Sequence, residues 1–178
     1  TEKEWNMAKI KLETVTALQE EIEENSKLME DIVEQIVCQF SEDLDKYVDF
    51  IRECLKDGER QLTNEELDDV CMNLSTLIYY TSFRCEQLGI KDDISKALYK
   101  EIYHSKRSEL DKGTVADKNS LAELQSQNEQ LTAICYNRAY KILKAKVDSA
   151  QELLSSAKKI ISRRITELEL TRIGGSGK

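Results

Sequence analysis

Tyr136-Asn137-Arg138-Ala139-Tyr140-Lys141-Ile142-Leu143-Lys144-Ala145-Lys146 opens a segment that runs through Val147, Ala150, Leu154 and Ala157 to Ile161-Ser162-Arg163-Arg164-Ile165 and Leu168. Its apolar residues recur at steps of three and four, the spacing of one helical face. With Leu143 at zero and 100° per residue, Tyr136, Leu143, Val147, Ala150, Leu154, Ala157, Ile161, Ile165 and Leu168 fall within about 40° of one line, with Tyr140 at its edge. Arg138, Lys141, Lys159 and Arg163 occupy the opposite face, with Asp148 and Glu152 between the two pairs. Lys144, Lys146, Lys158 and Arg164 flank the apolar line. The segment is therefore read as a helix whose apolar face is buried, either within the subunit or between subunits.

Working outward, the rest of the chain carries the same character. In 178 residues there is no proline, and three of the six glycines (Gly174, Gly175, Gly177) stand in the last five positions. Without breakers, helices run long. A stripe of Val15, Leu18, Ile22, Met29, Ile32, Ile36, Phe40, Leu44, Tyr47 or Val48, Ile51 and Leu55 predicts one or two helices over residues 3–57, with a break allowed near Ser41. Its near-heptad spacing resembles a coiled-coil seam. Gly58 suits a left-handed helix end. Thr63-Asn64-Glu65-Glu66 is a capping box and opens a helix to about Gln87, closed by Gly89. The run Leu74–Phe83, with Leu77, Ile78, Tyr79, Tyr80 and Phe83, reads as packed core. A further helix covers 92–110 and ends at Lys112-Gly113. Thr114-Val115-Ala116-Asp117 then caps a last helix that nothing interrupts before Gly174, a span of roughly 85 Å. The expectation is an all-α, elongated helical bundle or coiled coil with a very long C-terminal helix. It divides into an acidic coiled-coil-like segment (1–58), a helical core (59–173) and a flexible tail (174–178).

The formal charge of −8 is unevenly spread. Residues 1–70 hold 8 basic and 21 acidic side chains, and residues 71–178 hold 18 and 13. Either the basic half attracts a polyanion or the two halves attract each other. The polyanion reading makes Arg138, Lys141, Lys159 and Arg163 a phosphate-tracking face. Lys100, Lys106 and Arg107, interleaved with Tyr99, Tyr103 and His104, would add a single-strand element. The other reading leaves a solvated face, with flanking cations paired to the acidic first helix. Leu143, Val147, Leu154, Ile161, Ile165 and Leu168 are the candidate oligomerisation residues.

Most catalytic templates are missing. His104 is the one histidine. The sequence has no glycine-rich phosphate loop and no nucleophile elbow. Cys38, Cys54, Cys71, Cys85 and Cys135 include no Cys-x-x-Cys pair and read as small buried thiols. No apolar run approaches the ~18 residues of a membrane span, and no secretory core is visible. No catalytic residue, metal ligand or cofactor is assigned. The exception to be weighed is a set of paired carboxylates, Glu21-x-x-Glu24 with Glu65-x-x-Asp68 or Glu66-x-x-Asp69, which could hold Mg²⁺ between facing helices.

Two resemblances follow from these residues. Glu65-Glu66-Leu67-Asp68-Asp69-Val70 looks like the second metal motif of the all-α nucleoside triphosphate pyrophosphatases related to MazG and dUTPase, although the two acidic motifs are farther apart here. Ala116-Asp117-Lys118-Asn119-Ser120-Leu121, opening a long C-terminal helix after a basic, Tyr-containing helix, resembles the UvsY-type recombination mediators of T-even-like bacteriophages. That resemblance implies a non-enzymatic homo-oligomer, assembled through its C-terminal helix in the cytoplasm of a bacterial host. It would bind single-stranded DNA and load a RecA-like recombinase in place of single-strand-binding protein. The alternatives are a structural or protein-binding coiled-coil module and the metal-dependent pyrophosphatase.

Overall fold

The computed structural model of the chain describes residues 2–56, 62–110 and 112–175, with only the backbone path given for 2–14, 55, 56, 174 and 175. Over these residues the protein is all-α: α1 (Glu2–Lys56), α2 (Asn64–Glu109), α3 (Val115–Gln125) and α4 (Gln127–Gly175). Gly58, the 58/59 boundary and the last three tail residues lie outside the described residues. Among the described residues no helix is long and apolar enough to cross a membrane.

Both predicted capping boxes form. The Glu66 N–H donates to Thr63 Oγ1 (3.2 Å) and the Thr63 N–H donates to Glu66 Oε2 (2.8 Å). At α3 the Asp117 N–H donates to Thr114 Oγ1 (3.2 Å), while the Thr114 hydroxyl and N–H donate to Asp117 Oδ2 (2.6 and 3.1 Å). These two hydrogen bonds favour the charged carboxylate and hold the Asp117 pKa below its usual value.

Two local expectations are corrected, and of the alternatives for residues 3–57 the single helix is found. α1 continues through Ser41, whose buried hydroxyl donates to Asp45 Oδ2 (2.6 Å) instead of ending the helix. α2 continues through Gly89, because this glycine serves a close approach between helices. A Cβ there would stand 3.1 Å from Cε2 of Tyr140 on α4. The last helix, expected to be uninterrupted, breaks at Ser126 (φ −110°, ψ 15°), whose buried hydroxyl donates to the Ala122 carbonyl (2.8 Å). Hydroxyl bonding to the preceding turn bends helices. The ladder resumes at once, since the Gln130 N–H donates to the Ser126 carbonyl (3.0 Å). Between α2 and α3, Gly113 takes φ +115°, which suits a residue without a Cβ.

Two core clusters set the topology. Val33 and Val37 of α1 meet Cys85 and Leu88 of α2 and Cys135, Ala139 and Leu143 of α4. Farther along, Leu44 and Ile51 meet Val70, Leu74 and Ile78 of α2 and Val147 and Ala150 of α4. Residue numbers rise together in α1 and α4 and fall in α2. α1 and α4 are thus parallel to each other and antiparallel to α2. α3 lies on α2 and α4 but makes no contact with α1 among the described residues. Leu44, Leu74, Leu88 and Leu143 are completely covered, each contributing about 1.5–3 kcal/mol of transfer free energy.

Polar contacts tie the helices at defined levels. Lys146 of α4 reaches Asp45 (2.6 Å) and Ser41 (3.2 Å) of α1. Buried Asp92 of α2 accepts from Asn137 of α4 (3.1 Å) and from Lys96 (2.6 Å). Arg164 donates to the Leu62 carbonyl (2.6 Å) and to Asn64 Oδ1 (3.2 Å). The level of Arg164 marks where α2 begins. α4 beyond it, and α1 before about Asn25, extend past the three-helix body.

Candidate functional site

The seven cations proposed for nucleic acid do not form one patch. Lys100, Lys106 and Arg107 lie toward the end of α2, with Lys106 bonded to Glu109 (3.2 Å). Arg138 borders a groove with Glu30 and Glu34 of α1. Lys141 is exposed. Lys159 shares a shallow surface with Asp148 and Glu152, and Arg163 lies 3.8 Å from Glu167. By the antiparallel alignment of α2 and α4, Lys100–Arg107 and Lys159–Arg163 are separated by roughly 55 Å along the axis at 1.5 Å per residue. Of the four flanking cations, Lys146 pairs with Asp45 of α1 as the charge-pairing reading expects, whereas Arg164 donates to the uncharged Leu62 carbonyl and Asn64 side chain at the start of α2. Tyr99 and Tyr103 are half-buried with ring centroids 6.3 Å apart, and the exposed His104 ring stands edge-on to Tyr103 at 5.4 Å.

The six oligomerisation candidates divide. Leu143 and Val147 are buried inside the single chain, so they serve its own core and leave nothing for a second subunit. Leu154 and Ile161 are half-buried. Ile165 and Leu168 are exposed, because α4 has passed the end of α2.

The carboxylate pairs are not brought together. Ile51 of α1 packs in one cluster with Val70 of α2, which places Glu65–Asp69 near the far end of α1. Glu21 and Glu24 stand almost thirty residues back along the same helix, roughly 40 Å away. Glu66 is engaged in the cap of α2. No three His, Cys, Asp or Glu side chains among the described residues converge on a metal-sized site. Cys85 and Cys135 are buried, and burial pushes both thiols above their ordinary pKa. Cys38, by contrast, is exposed, and Cys54 and Cys71 are half-buried.

The largest departure from the sequence reading is on α2. Of the run Leu74–Phe83, Leu74 and Ile78 are buried, but Tyr79, Tyr80 and Phe83 are not. They belong to a second line with Met72, Ile90, Ile94 and Leu98, all 50–72 % exposed. At 100° per residue these seven occupy an arc of about 100°. The arc is centred about 170° from the buried line of Leu67, Val70, Leu74, Ile78, Thr81, Cys85 and Leu88. α2 is thus apolar on two opposite faces, and the bundle covers one. Ile94 and Leu98 border a groove shared with Asn128, Thr132 and Tyr136 of α4. The outer line was readable from its own spacing, with apolar residues at 72, 79, 83, 90 and 94. Reading the helix as a single dense core run merged the two lines.

No protein-family model matches the chain, and comparison with curated proteins and with solved structures finds no match.

Proposed function

We propose that the chain is a non-catalytic helical interaction module, a structural or protein-binding bundle that works by presenting helix faces to other polypeptides. The observation that carries this reading is the uncovered apolar and aromatic face of α2. Taking about 200 Å² for an exposed aromatic residue and a little less for an aliphatic one, the seven residues together expose roughly 800 Å², with Thr76 and Gln87 interspersed in the same arc. Typical monomers expose largest apolar patches of about 300–600 Å², and larger ones mark interaction sites. The placement of the charges supports the same reading. Lys146 and Arg164 act within the chain, and Arg138, Lys159 and Arg163 stand beside carboxylates. A polyanion approaching this surface would meet both signs.

The test is a titration of a fluorescent single-stranded oligonucleotide at low salt. The expected result is no saturable binding. Binding whose log affinity falls steeply with log salt, and which Arg138→Glu with Lys141→Glu removes, would replace the module reading with a nucleic-acid one.

A further inference from the structure

The outer face of α2 has properties that specify its occupant. It runs straight along an unbroken helix from Met72 to Leu98, about 39 Å at 1.5 Å per residue. Its two halves differ. Met72, Tyr79, Tyr80 and Phe83 make the first half mainly aromatic, and Ile90, Ile94 and Leu98 make the second aliphatic. The charges beside it also differ by end. Glu65, Asp68 and Asp69 are exposed near the start of α2; near its end Glu101 lies within the arc, and Lys100 and Arg107 are exposed about 60° and 80° outside its edge, on the side of Asp68.

We infer that this face is covered by the same face of a second copy of the chain, with the two α2 helices antiparallel about a two-fold axis near residue 85. The inference rests on the module reading and names its partner. In this arrangement Tyr79 and Tyr80 of one copy lie against Ile90 and Ile94 of the other, and Met72 lies opposite Leu98. A two-fold contact uses one patch twice, so a patch whose halves differ and fit each other satisfies it. Asp68 of each α2 falls on the same flank and near the same level as Lys100 of its partner. A parallel pair would set Asp68 against Asp68 and aromatic against aromatic. The area fits as well. Each chain offers roughly 800 Å², the share per partner of a standard stable interface. The contact joins the outer surfaces of two finished bundles, so it needs no rearrangement of the inner core.

Sedimentation of the full chain over a range of concentrations tests this. The expected result is a species of twice 20.5 kDa that Phe83→Asp and Ile90→Asp each weaken by about 30-fold or more. Helical circular dichroism and urea unfolding of each variant show whether the bundle itself stays intact. A charge swap tests the direction. Asp68→Lys should weaken the dimer, and adding Lys100→Glu should restore it. A monomer at all concentrations overturns the inference, as does a dimer indifferent to Phe83→Asp and Ile90→Asp. Loss without rescue in the charge swap overturns the antiparallel pairing. A monomer that also ignores oligonucleotide leaves the module reading standing with another partner, whereas oligonucleotide binding removes the module reading itself.

Discussion

The inner and outer faces of α2 have similar apolar content and opposite fates. Leu74, Ile78, Cys85 and Leu88 face α1 and α4 and are buried, while Met72, Tyr79, Phe83 and Ile90 face away and stay exposed. The exposed side chains are, if anything, the larger ones. Hydrophobicity therefore does not decide which face becomes core in this helix. The neighbours decide it: α1 and α4 carry one continuous apolar line each, and both lines meet the same side of α2. The remaining line is left uncovered by any helix among the described residues.

The contrast is sharpest in stability. Leu88→Ala or Leu143→Ala removes a fully covered side chain and should cost about 3–5 kcal/mol in urea unfolding. Phe83→Ala or Tyr79→Ala, measured at concentrations too low for association, should change stability by about 0.5 kcal/mol or less. Equal losses on the two faces would break the comparison.

Gly89 stands at the border between the faces. A side chain there would push directly against the Tyr140 ring. Gly89→Leu should destabilise by about 1–3 kcal/mol, despite the better helix propensity of leucine. A neutral result would mean that α2 and α4 do not approach closely at this level.

Smaller effects separate helix formation from face packing. Thr63→Ala removes the cap of α2 and should cost about 1 kcal/mol without altering either face. Lys146→Met breaks a pair whose side chains are each about one-third exposed, so solvent screening limits the loss to about 1 kcal/mol.

The smallest expected effect is at the start of α3. The folded pKa of Asp117 is held below its ordinary value by Thr114. Its contribution is therefore present above the unfolded value and fades as pH falls through the depressed folded one. Amide exchange at Ala116–Lys118 should rise at that acid limit, and Thr114→Val should remove the dependence.

Much of this architecture was legible in the residues. The all-α class, both capping boxes and the apolar line of α4 from Leu143 to Ala157 follow from local chemistry and spacing, and the structure contains all three. The misread features depend on what lies across from a residue. Gly89 looked like a helix end because its reason, the Tyr140 ring, is about fifty positions away. Ser126 is a different case: a hydroxyl bonded to the carbonyl four residues back also occurs in unbroken helix, as at Ser155 and Ser156, so its residue type did not mark the break. The outer face of α2 was hidden for the same reason as Gly89: its spacing was visible, but that no helix among the described residues covers it was not. The cations were visible as residues, whereas their separation along the rod and their acidic neighbours became evident only with the helices aligned.

The measurement that bears most directly on the two-faced α2 is sedimentation equilibrium of the full chain beside Phe83→Asp and Leu88→Ala, with urea unfolding on the same samples. The expected result is a wild-type dimer. Phe83→Asp should be a monomer of nearly unchanged subunit stability, and Leu88→Ala should still dimerise while unfolding at much lower urea. A wild-type monomer, or a Phe83→Asp variant that dimerises as wild type does, would contradict it.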